Sequence, residues 1–178
     1  LLTNDAEVAE QCRVLCNHGR KQHYSYTHVG WNSRMASTQA VFLSHMLDYV
    51  PKLIDSRRTA LAFYKEKLAP YSHLLDFHEP PENIYGNGYL CVLTTKKHLG
   101  ITLQKILQKK GIGCARTYPE PIHMQAPARD ASRVSNLNAS SLFCERVLNL
   151  PLFSHITLEE CDQAANALLA VLTDKGNS

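Results

Sequence analysis

Apolar residues recur at spacings of three and four along much of the first 70 residues, which is the period of amphipathic helices. An Asx cap precedes a predicted helix over about residues 5–16, and Ser37 would cap a second helix with one apolar stripe. Pro51 suits the first turn of a third helix, which we expect to end at residues 69–70. The first 70 residues therefore predict helices joined by one long polar loop.

The pattern changes after residue 70, where proline and glycine pairs separate shorter apolar runs. Thr157 and Glu160, three residues apart, predict a capping box at the start of the last helix. Because strands and helices alternate, we expect a small α/β to α+β domain over residues 70–178, preceded by a separate region over residues 1–69. The predicted elements are strands at 89–94 and 112–118 and helices at about 98–110, at 140–148 and after Thr157.

Composition and charge narrow the class of protein. The 178 residues are 44% hydrophobic and 20% charged, as in ordinary globular proteins, and a net charge of +3 without a long basic run does not favour nucleic-acid binding. No apolar run approaches the roughly 20 residues that span a bilayer, and no signal-peptide pattern is present, so we expect a soluble, cytoplasmic protein without a membrane partner. The six cysteines form no CxxC pair and predict reduced, mostly buried thiols.

The loop over residues 17–35 is rich in polar, aromatic and glycine residues and is too long for a simple connector. Such loops usually carry function. Its three histidines, His18, His23 and His28, lie five residues apart, which fits no common zinc spacing, so we expect no metal site.

Three groups of residues resemble, in order, signatures of the DegT/DnrJ/EryC family of pyridoxal-phosphate-dependent sugar aminotransferases. The resemblance implies the C-terminal part of a type I fold, in which long helices from the large domain, here residues 1–69, precede a small domain with a short sheet covered by helices. Two departures are Val41-Phe42, where a second small residue is usual, and Thr117, where the family commonly has histidine. The matching groups are His18-Gly19 with Tyr24 or Tyr26, Gly30-x-Asn32-x-Arg34-Met35 and Gln39-Ala40; Gly111-Ile112 with Tyr118-Pro119-x-Pro121-x-His123-x-Gln125; and Glu145–Leu152 with Thr157-x-Glu159-Glu160.

The resemblance implies roles for individual residues. Asn32 would bind the phosphate of the partner subunit's cofactor through a neutral amide, and Arg34 would bind substrate through its planar charged group. The alternatives are an asparagine that satisfies turn backbone and an arginine in a surface ion pair.

The same resemblance places Tyr118, His123 and Gln125 around the sugar, and His18 as a residue that orders the loop. Tyr118 could instead be a core aromatic residue, and His123 a satisfied buried histidine.

In the family, the lysine that holds the cofactor as a Schiff base lies just before a stretch that matches Leu1-Leu2-Thr3-Asn4-Asp5. The resemblance thus implies a C-terminal fragment that contains no catalytic residue and does not transaminate alone. The intact protein would be a homodimer with shared active sites that transfers an amino group from glutamate to a nucleotide-linked keto-sugar, in cell-surface polysaccharide or amino-sugar biosynthesis. Open alternatives are a non-catalytic module for dimerisation or interaction, and an aminocyclitol or aminobenzoate precursor as substrate.

Overall fold

The computed structural model describes residues 1–128 and 136–174, which divide into two compact units, Leu1–Tyr49 and Val50–Ser178. The first unit contains two helices and a short hairpin, and the second contains four helices and a three-stranded sheet. The helices are α1 Ala6–Cys16, α2 Ser37–Leu47, α3 Val50–Leu68, α4 Gly100–Lys109, α5 Asn138–Arg146 and α6 Leu158–Thr173, and the strands are β1 Arg20–Gln22, β2 Ser25–Tyr26, β3 Leu75–His78, β4 Cys91–Thr95 and β5 Val147–Leu150.

Helix α1 begins one residue later than the sequence predicts, because Asp5 is its cap. The Asp5 carboxylate accepts hydrogen bonds from the amides of Glu7 and Val8 at 2.9 and 3.1 Å. Ser37 is likewise the first residue of α2 and not its cap; the cap position is Ala36, whose amide donates to the side chain of Gln39 at 3.2 Å. In both cases the helix was predicted correctly, and its cap lies one residue away from the predicted cap.

The apolar stripe of α2 is exposed within its own unit. Leu43 and Leu47 of this stripe are 47% and 67% exposed, the neighbouring Val41 and Phe42 are 71% and 62% exposed, and none of the residues of α2 is buried. An apolar face of this kind normally has a covering surface in the complete protein.

The core of the second unit forms around the antiparallel sheet β3–β4–β5, in which β4 is central. Cys91 lies opposite Leu150 and Leu93 opposite Leu148, so that these side chains share one face of the sheet. Buried residues of α3, α4 and α6 pack in the same cluster. The hydroxyl of Tyr64 in α3 donates to the carbonyl of Pro151 at 3.0 Å.

The structure corrects two predicted elements. Residues 112–118 do not form a strand; their only bridge in the described chain joins Ala115 to Asn149. The helix predicted at 140–148 ends at Arg146, and the following four residues are the edge strand β5, each of them buried. The capping box of α6 is confirmed: the Thr157 hydroxyl accepts from the Glu160 amide at 3.1 Å, and the Glu160 carboxylate accepts from the Thr157 amide at 2.8 Å.

Helix α3 packs with the second unit, whereas the sequence pattern predicts it in the region 1–69. Along the chain, the boundary between the compact units lies between Tyr49 and Val50. The predicted boundary at residues 69–70 differs from it by the length of α3. Which domain of a complete protein contains α3 stays a prediction. Within the described residues, no helix is both long enough and apolar enough to span a membrane.

Candidate functional site

The predicted site residues fall in both units, and each group is described within its own unit. His18, Asn32 and Arg34 lie in the first unit, and Tyr118, His123 and Gln125 lie in the second.

The loop of the first unit folds against the C-terminal end of α1. The amide of Trp31 donates to the carbonyl of Leu15, and the amide of His18 donates to the carbonyl of Trp31, both at 2.8 Å. His18 adopts φ +60° and Gly19 φ +73°, which reverse the chain after the helix. The ring of His18 is exposed, so these contacts to the loop come from its backbone.

Gly30 is required by a close approach of two backbone segments. A Cβ atom at Gly30 would lie 2.1 Å from the nitrogen of Gly19 and 2.6 Å from the carbonyl oxygen of Leu15. Only glycine leaves room for this crossing. The two glycines of the first motif are therefore explained by packing within the loop.

The crossing positions Asn32 and Arg34 on the surface of the unit. The Ser33 amide donates to the carbonyl of Cys16 at 2.9 Å, and Asn32 forms a bridge with Asn17. The Nε of Arg34 donates to Oδ1 of Asn32 at 3.0 Å, and both residues are exposed.

This hydrogen bond fixes the chemical character of the pair. Since Oδ1 of Asn32 accepts from Arg34, the two N–H donors of the Asn32 amide remain available to another acceptor, next to a permanent positive charge. Among the described residues, Arg34 forms no ion pair with a carboxylate. A neutral double donor beside a guanidinium group is suited to an anion such as a phosphate.

Tyr118, His123 and Gln125 line one cavity of the second unit, with a volume of about 680 Å³. It lies between residues 118–125 and α5, which contributes Phe143. Tyr118 is 76% exposed, which excludes the core-aromatic alternative.

Polar contacts order two of the cavity's side chains. Gln125 donates through Nε2 to the carboxylate of Glu120 at 2.8 Å, and Nε2 of His123 lies 3.4 Å from the hydroxyl of Ser141. The half-buried ring of His123 is thus neither free nor part of the core. The cavity presents a phenol, an imidazole, an amide and a carboxylate, which together suit a ligand rich in hydroxyl groups.

Asn149, whose side chain contacts the segment that carries Tyr118, was not predicted from the sequence. Asn149 is 3% exposed, and it stands between Leu148 and Leu150 in β5. A polar residue inside an apolar strand is a signal for a structural hydrogen bond. The signal was not used because a helix was predicted directly before Asn149, over 140–148, and no strand was predicted at 147–150.

Among the described residues, neither shifted pKa values nor metal-ligand clusters add a chemical group to the two sets of candidate site residues. Burial raises the pKa of the thiols of Cys91, Cys114 and Cys161, all outside the loop of the first unit. The described residues contain no cluster of three or more histidine, cysteine, aspartate or glutamate side chains arranged to hold a metal ion.

Comparisons with known proteins match nearly the whole chain. Residues 1–169 match the DegT/DnrJ/EryC1/StrS aminotransferase family. The chain is 30% identical to a UDP-N-acetyl-3-dehydro-alpha-D-glucosamine 3-aminotransferase of Acidithiobacillus ferrooxidans, over 97% of this chain and 45% of the relative. It is 31% identical to a dTDP-3-amino-3,4,6-trideoxy-alpha-D-glucose transaminase of Streptomyces venezuelae, over 96% of this chain and 44% of the relative.

Solved structures agree on the fold. DesV of S. venezuelae, crystallised with a ketimine intermediate, superposes with a TM-score of 0.86 at 25% identity, over 97% of this chain and 46% of that chain. An aminotransferase of the family from Brucella abortus gives a TM-score of 0.85 at 23% identity, with the same coverage of 97% and 46%. The predicted fold, a C-terminal part of a type I aminotransferase, is confirmed. The chain spans a little under half the length of the relatives that it matches.

Proposed function

Because this chain belongs to the DegT/DnrJ/EryC1/StrS aminotransferase family, we propose that it is the C-terminal portion of a pyridoxal-phosphate-dependent aminotransferase that acts on a nucleotide-linked keto-sugar. The observation that carries the proposal is the Asn32–Arg34 pair, which presents N–H donors and a positive charge inside the family motif. Two relatives named for transamination of UDP- and dTDP-linked sugars support the substrate class. Glutamate is the proposed amino donor.

The residues of the loop fit the phosphate of pyridoxal phosphate. Asn32 would hold this phosphate with the N–H donors that its bond to Arg34 leaves available. A neutral amide keeps the same donors across the physiological pH range. When bound, the cofactor supplies the electron sink for transamination, and the protein supplies orientation and charge placement.

We place Asn32 in the active site of a partner subunit, so that the proposed assembly is a homodimer with shared sites. The exposure of Asn32 and Arg34 on the surface of the first unit supports this placement. His18 would act here by ordering the loop. Arg34 would bind the diphosphate of the nucleotide-sugar through charge-assisted hydrogen bonds.

Tyr118, His123 and Gln125 would bind the sugar. Their cavity of about 680 Å³ has the size of ordinary small-molecule sites, which is about 300–1,000 Å³. Thr117 stands where the family commonly has histidine, so the hydroxyl pattern that this chain selects is expected to differ from that of relatives with histidine. An aminocyclitol or aminobenzoate precursor is the alternative substrate.

The cofactor-binding lysine of the family would lie before residue 1, and this chain alone would not transaminate. The catalytic chemistry therefore belongs to the complete cytoplasmic enzyme. A non-catalytic dimerisation module is the second candidate, and the exposed apolar residues of α2 are the observation in its favour.

The test is cofactor binding and transamination by the full-length protein. Pyridoxal phosphate is titrated by its absorption spectrum, and UDP-, dTDP- and GDP-linked amino-sugars are then assayed in the reverse direction with 2-oxoglutarate. Asn32→Ala removes one set of donors and should weaken cofactor binding by about ten- to a hundredfold, since a hydrogen bond to a charged group contributes about 1.5–3 kcal/mol. Asn32→Asp should weaken it further, because a carboxylate would face the phosphate.

Asn166→Ala is the control. Asn166 lies on the exposed side of α6 and donates to Asp162 at 2.7 Å, so this variant should bind the cofactor normally. A full-length protein that does not bind pyridoxal phosphate would leave the non-catalytic module as the better candidate. Normal binding by both Asn32 variants would contradict the role of Asn32 alone.

A further inference from the structure

The segment that carries Tyr118 leaves the sheet abruptly. Ala115 exchanges two backbone hydrogen bonds with Asn149, at 3.1 and 2.7 Å, as a strand residue would. Two residues later, the amide of Thr117 donates to the side-chain oxygen of Asn149 at 2.8 Å. The side chain of Asn149 thus takes the place of the next backbone acceptor of the ladder.

Crowding beside β5 explains why the backbone ladder stops there. In a continuing antiparallel ladder, Thr117 would pair with Val147. The N-terminus of α4 already occupies the space at Val147, since a Cβ at Gly100 would lie 2.2 Å from its carbonyl oxygen. The chain consequently turns away from the sheet at Thr117.

Arg116 ties the same segment to α5. Its guanidinium donates to the carbonyl of Cys144, in the last turn of α5, at 2.5 Å and to the carbonyl of Pro119 at 3.4 Å. Carbonyls in the last turn of a helix have no partner within the helix, so Arg116 supplies one. Bonds from Asn149 and Arg116 therefore hold both sides of Tyr118.

Tyr118 itself adopts φ +58°, a left-handed conformation that an aromatic residue rarely takes. Its side chain is 76% exposed, so burial of the ring does not select this conformation. A strained residue persists only where surrounding contacts determine its backbone. Here the determining contacts are the bonds on either side of it.

Asn149 also carries an energetic cost that a leucine would avoid. Its Nδ2 is buried and has no hydrogen-bond partner in the described part of the chain. The neighbouring strand positions are apolar, so the amide is present for its oxygen and not for packing.

We propose that Asn149 is a positioning residue, assisted by Arg116, that sets the orientation of Tyr118 and hence the affinity for the sugar portion of the substrate. The inference rests on the proposed function for the identity of the ligand. The positioning of residues 115–120 by the Asn149 side chain does not depend on that function.

Hydrogen–deuterium exchange of the full-length protein tests the positioning without substrate. Asn149→Ala should accelerate exchange of residues 115–120 about tenfold, because the Thr117 amide loses its acceptor. Asn149→Asp keeps an acceptor oxygen and should restore slow exchange. Thr94→Ala is the matched control: Thr94 lies opposite Val147 on β4, is 8% exposed and bonds His78, so it perturbs the same sheet without touching the loop.

Steady-state kinetics test the consequence for substrate, with the best nucleotide-linked amino-sugar from the panel above. Asn149→Ala should raise KM about tenfold with kcat and cofactor affinity nearly unchanged, which is the pattern of lost ground-state and transition-state binding together. Arg116→Lys, at a half-buried position, should shift KM in the same direction even if Asn149→Ala does not fold. Asn149→Asp and Thr94→Ala should keep the KM of the natural protein.

Failures of the two proposals can be told apart. Unchanged exchange in Asn149→Ala overturns the positioning itself. Faster exchange with unchanged KM, in a protein that transaminates sugars, overturns the link from Asn149 to substrate and leaves the proposed function standing. If the natural protein transaminates no sugar in the panel, the proposed function and the substrate part of this inference fail together, whatever the exchange data show.

Discussion

Replacing Gly30 by alanine should disrupt the loop that presents Asn32. The added Cβ would lie 2.1 Å from the nitrogen of Gly19, whereas ordinary contacts begin near 3.4 Å, so the two backbone segments must separate by more than 1 Å. Such a shift cannot be absorbed by a flexible side chain, because the nearest atoms all belong to the backbone. Overpacking of this kind costs about 1–3 kcal/mol.

The same separation strains the hydrogen bonds that join the loop to α1. The bond from the Trp31 amide to Leu15 and the bond from the His18 amide to Trp31 are both 2.8 Å long. Losing them adds about 1 kcal/mol each, so that the total destabilisation of the loop should reach about 3–5 kcal/mol. Gly113→Ala is the control, because no atom lies within 4 Å of its Cβ and its φ is not positive.

The assay compares the two variants in the full-length protein. Gly30→Ala should speed hydrogen–deuterium exchange over residues 17–33 and weaken pyridoxal phosphate binding, since Asn32 loses its fixed position. Gly113→Ala should leave both measurements unchanged. Normal exchange of the loop in Gly30→Ala would refute the packing argument, and normal cofactor affinity in a loosened loop would refute the link from loop order to Asn32.

Three further changes test the fold. Burial raises the pKa of the Cys91 thiol to about 12, so the unfolded chain releases this proton at a lower pH than the folded protein does. The free energy of unfolding should therefore fall above about pH 9, by up to about 1.4 kcal/mol per pH unit. Cys91→Ala should flatten that slope in denaturant titrations from about pH 8 to about pH 10.5, and an unchanged slope would contradict the assignment. Thr157→Ala removes the cap of α6 and should cost about 1 kcal/mol, whereas Thr59→Ala in the exposed middle of α3 should be neutral or slightly stabilising, both by chemical denaturation. Tyr64→Phe loses the bond to Pro151 and should cost about 1 kcal/mol in the same assay, so equal stability would mean that the bond contributes nothing.

Periodicity predicted α3, α4 and α6 well because each of these helices has a buried stripe. Helix α3 buries Ala60, Tyr64 and Leu68, at spacings of four, and the last helix begins where its capping box predicts. The caps of α1 and α2 were displaced by one residue. Asn4 and Asp5 can both cap α1, and only geometry decides between them, whereas α2 begins after Ala36, whose side chain makes no capping hydrogen bond.

The sheet was harder to predict. The run Val147–Leu150 is four residues long and follows a helix directly, so its apolar residues fit the end of a helix as well as a strand. Residues 112–118 have the composition of a strand, but in the structure they form a single β-bridge to β5. The N-terminus of α4 occupies the position where the next pair with β5 would form. Long-range contacts of this kind leave no local pattern in the sequence.

At the candidate site, the motifs identify some of the functional residues, and the three-dimensional structure is needed to identify the others. Asn32, Arg34 and Tyr118 are exposed, and packing gives no reason for their identity, so a signature was needed to single them out. The signature names the groups that would meet a ligand but not those that hold them, such as Asn149.

Both groups of candidate site residues lie in segments with strained backbone. Among the described residues, four that are not glycine have positive φ, and His18, Tyr24 and Tyr118 lie in the two segments singled out by the motifs. Left-handed backbone at a residue with a side chain costs about 1–2 kcal/mol, which selection for stability alone would remove. Left-handed residues are expected in the loop that contains Asn32 and in the segment that lines the cavity if both segments are shaped to meet a ligand. Tyr118→Gly tests this explanation, because it relieves the backbone strain and removes the phenol. Tyr118→Gly should therefore keep or raise thermal stability and still weaken substrate binding, whereas a loss of stability would mean that the tyrosine holds the fold.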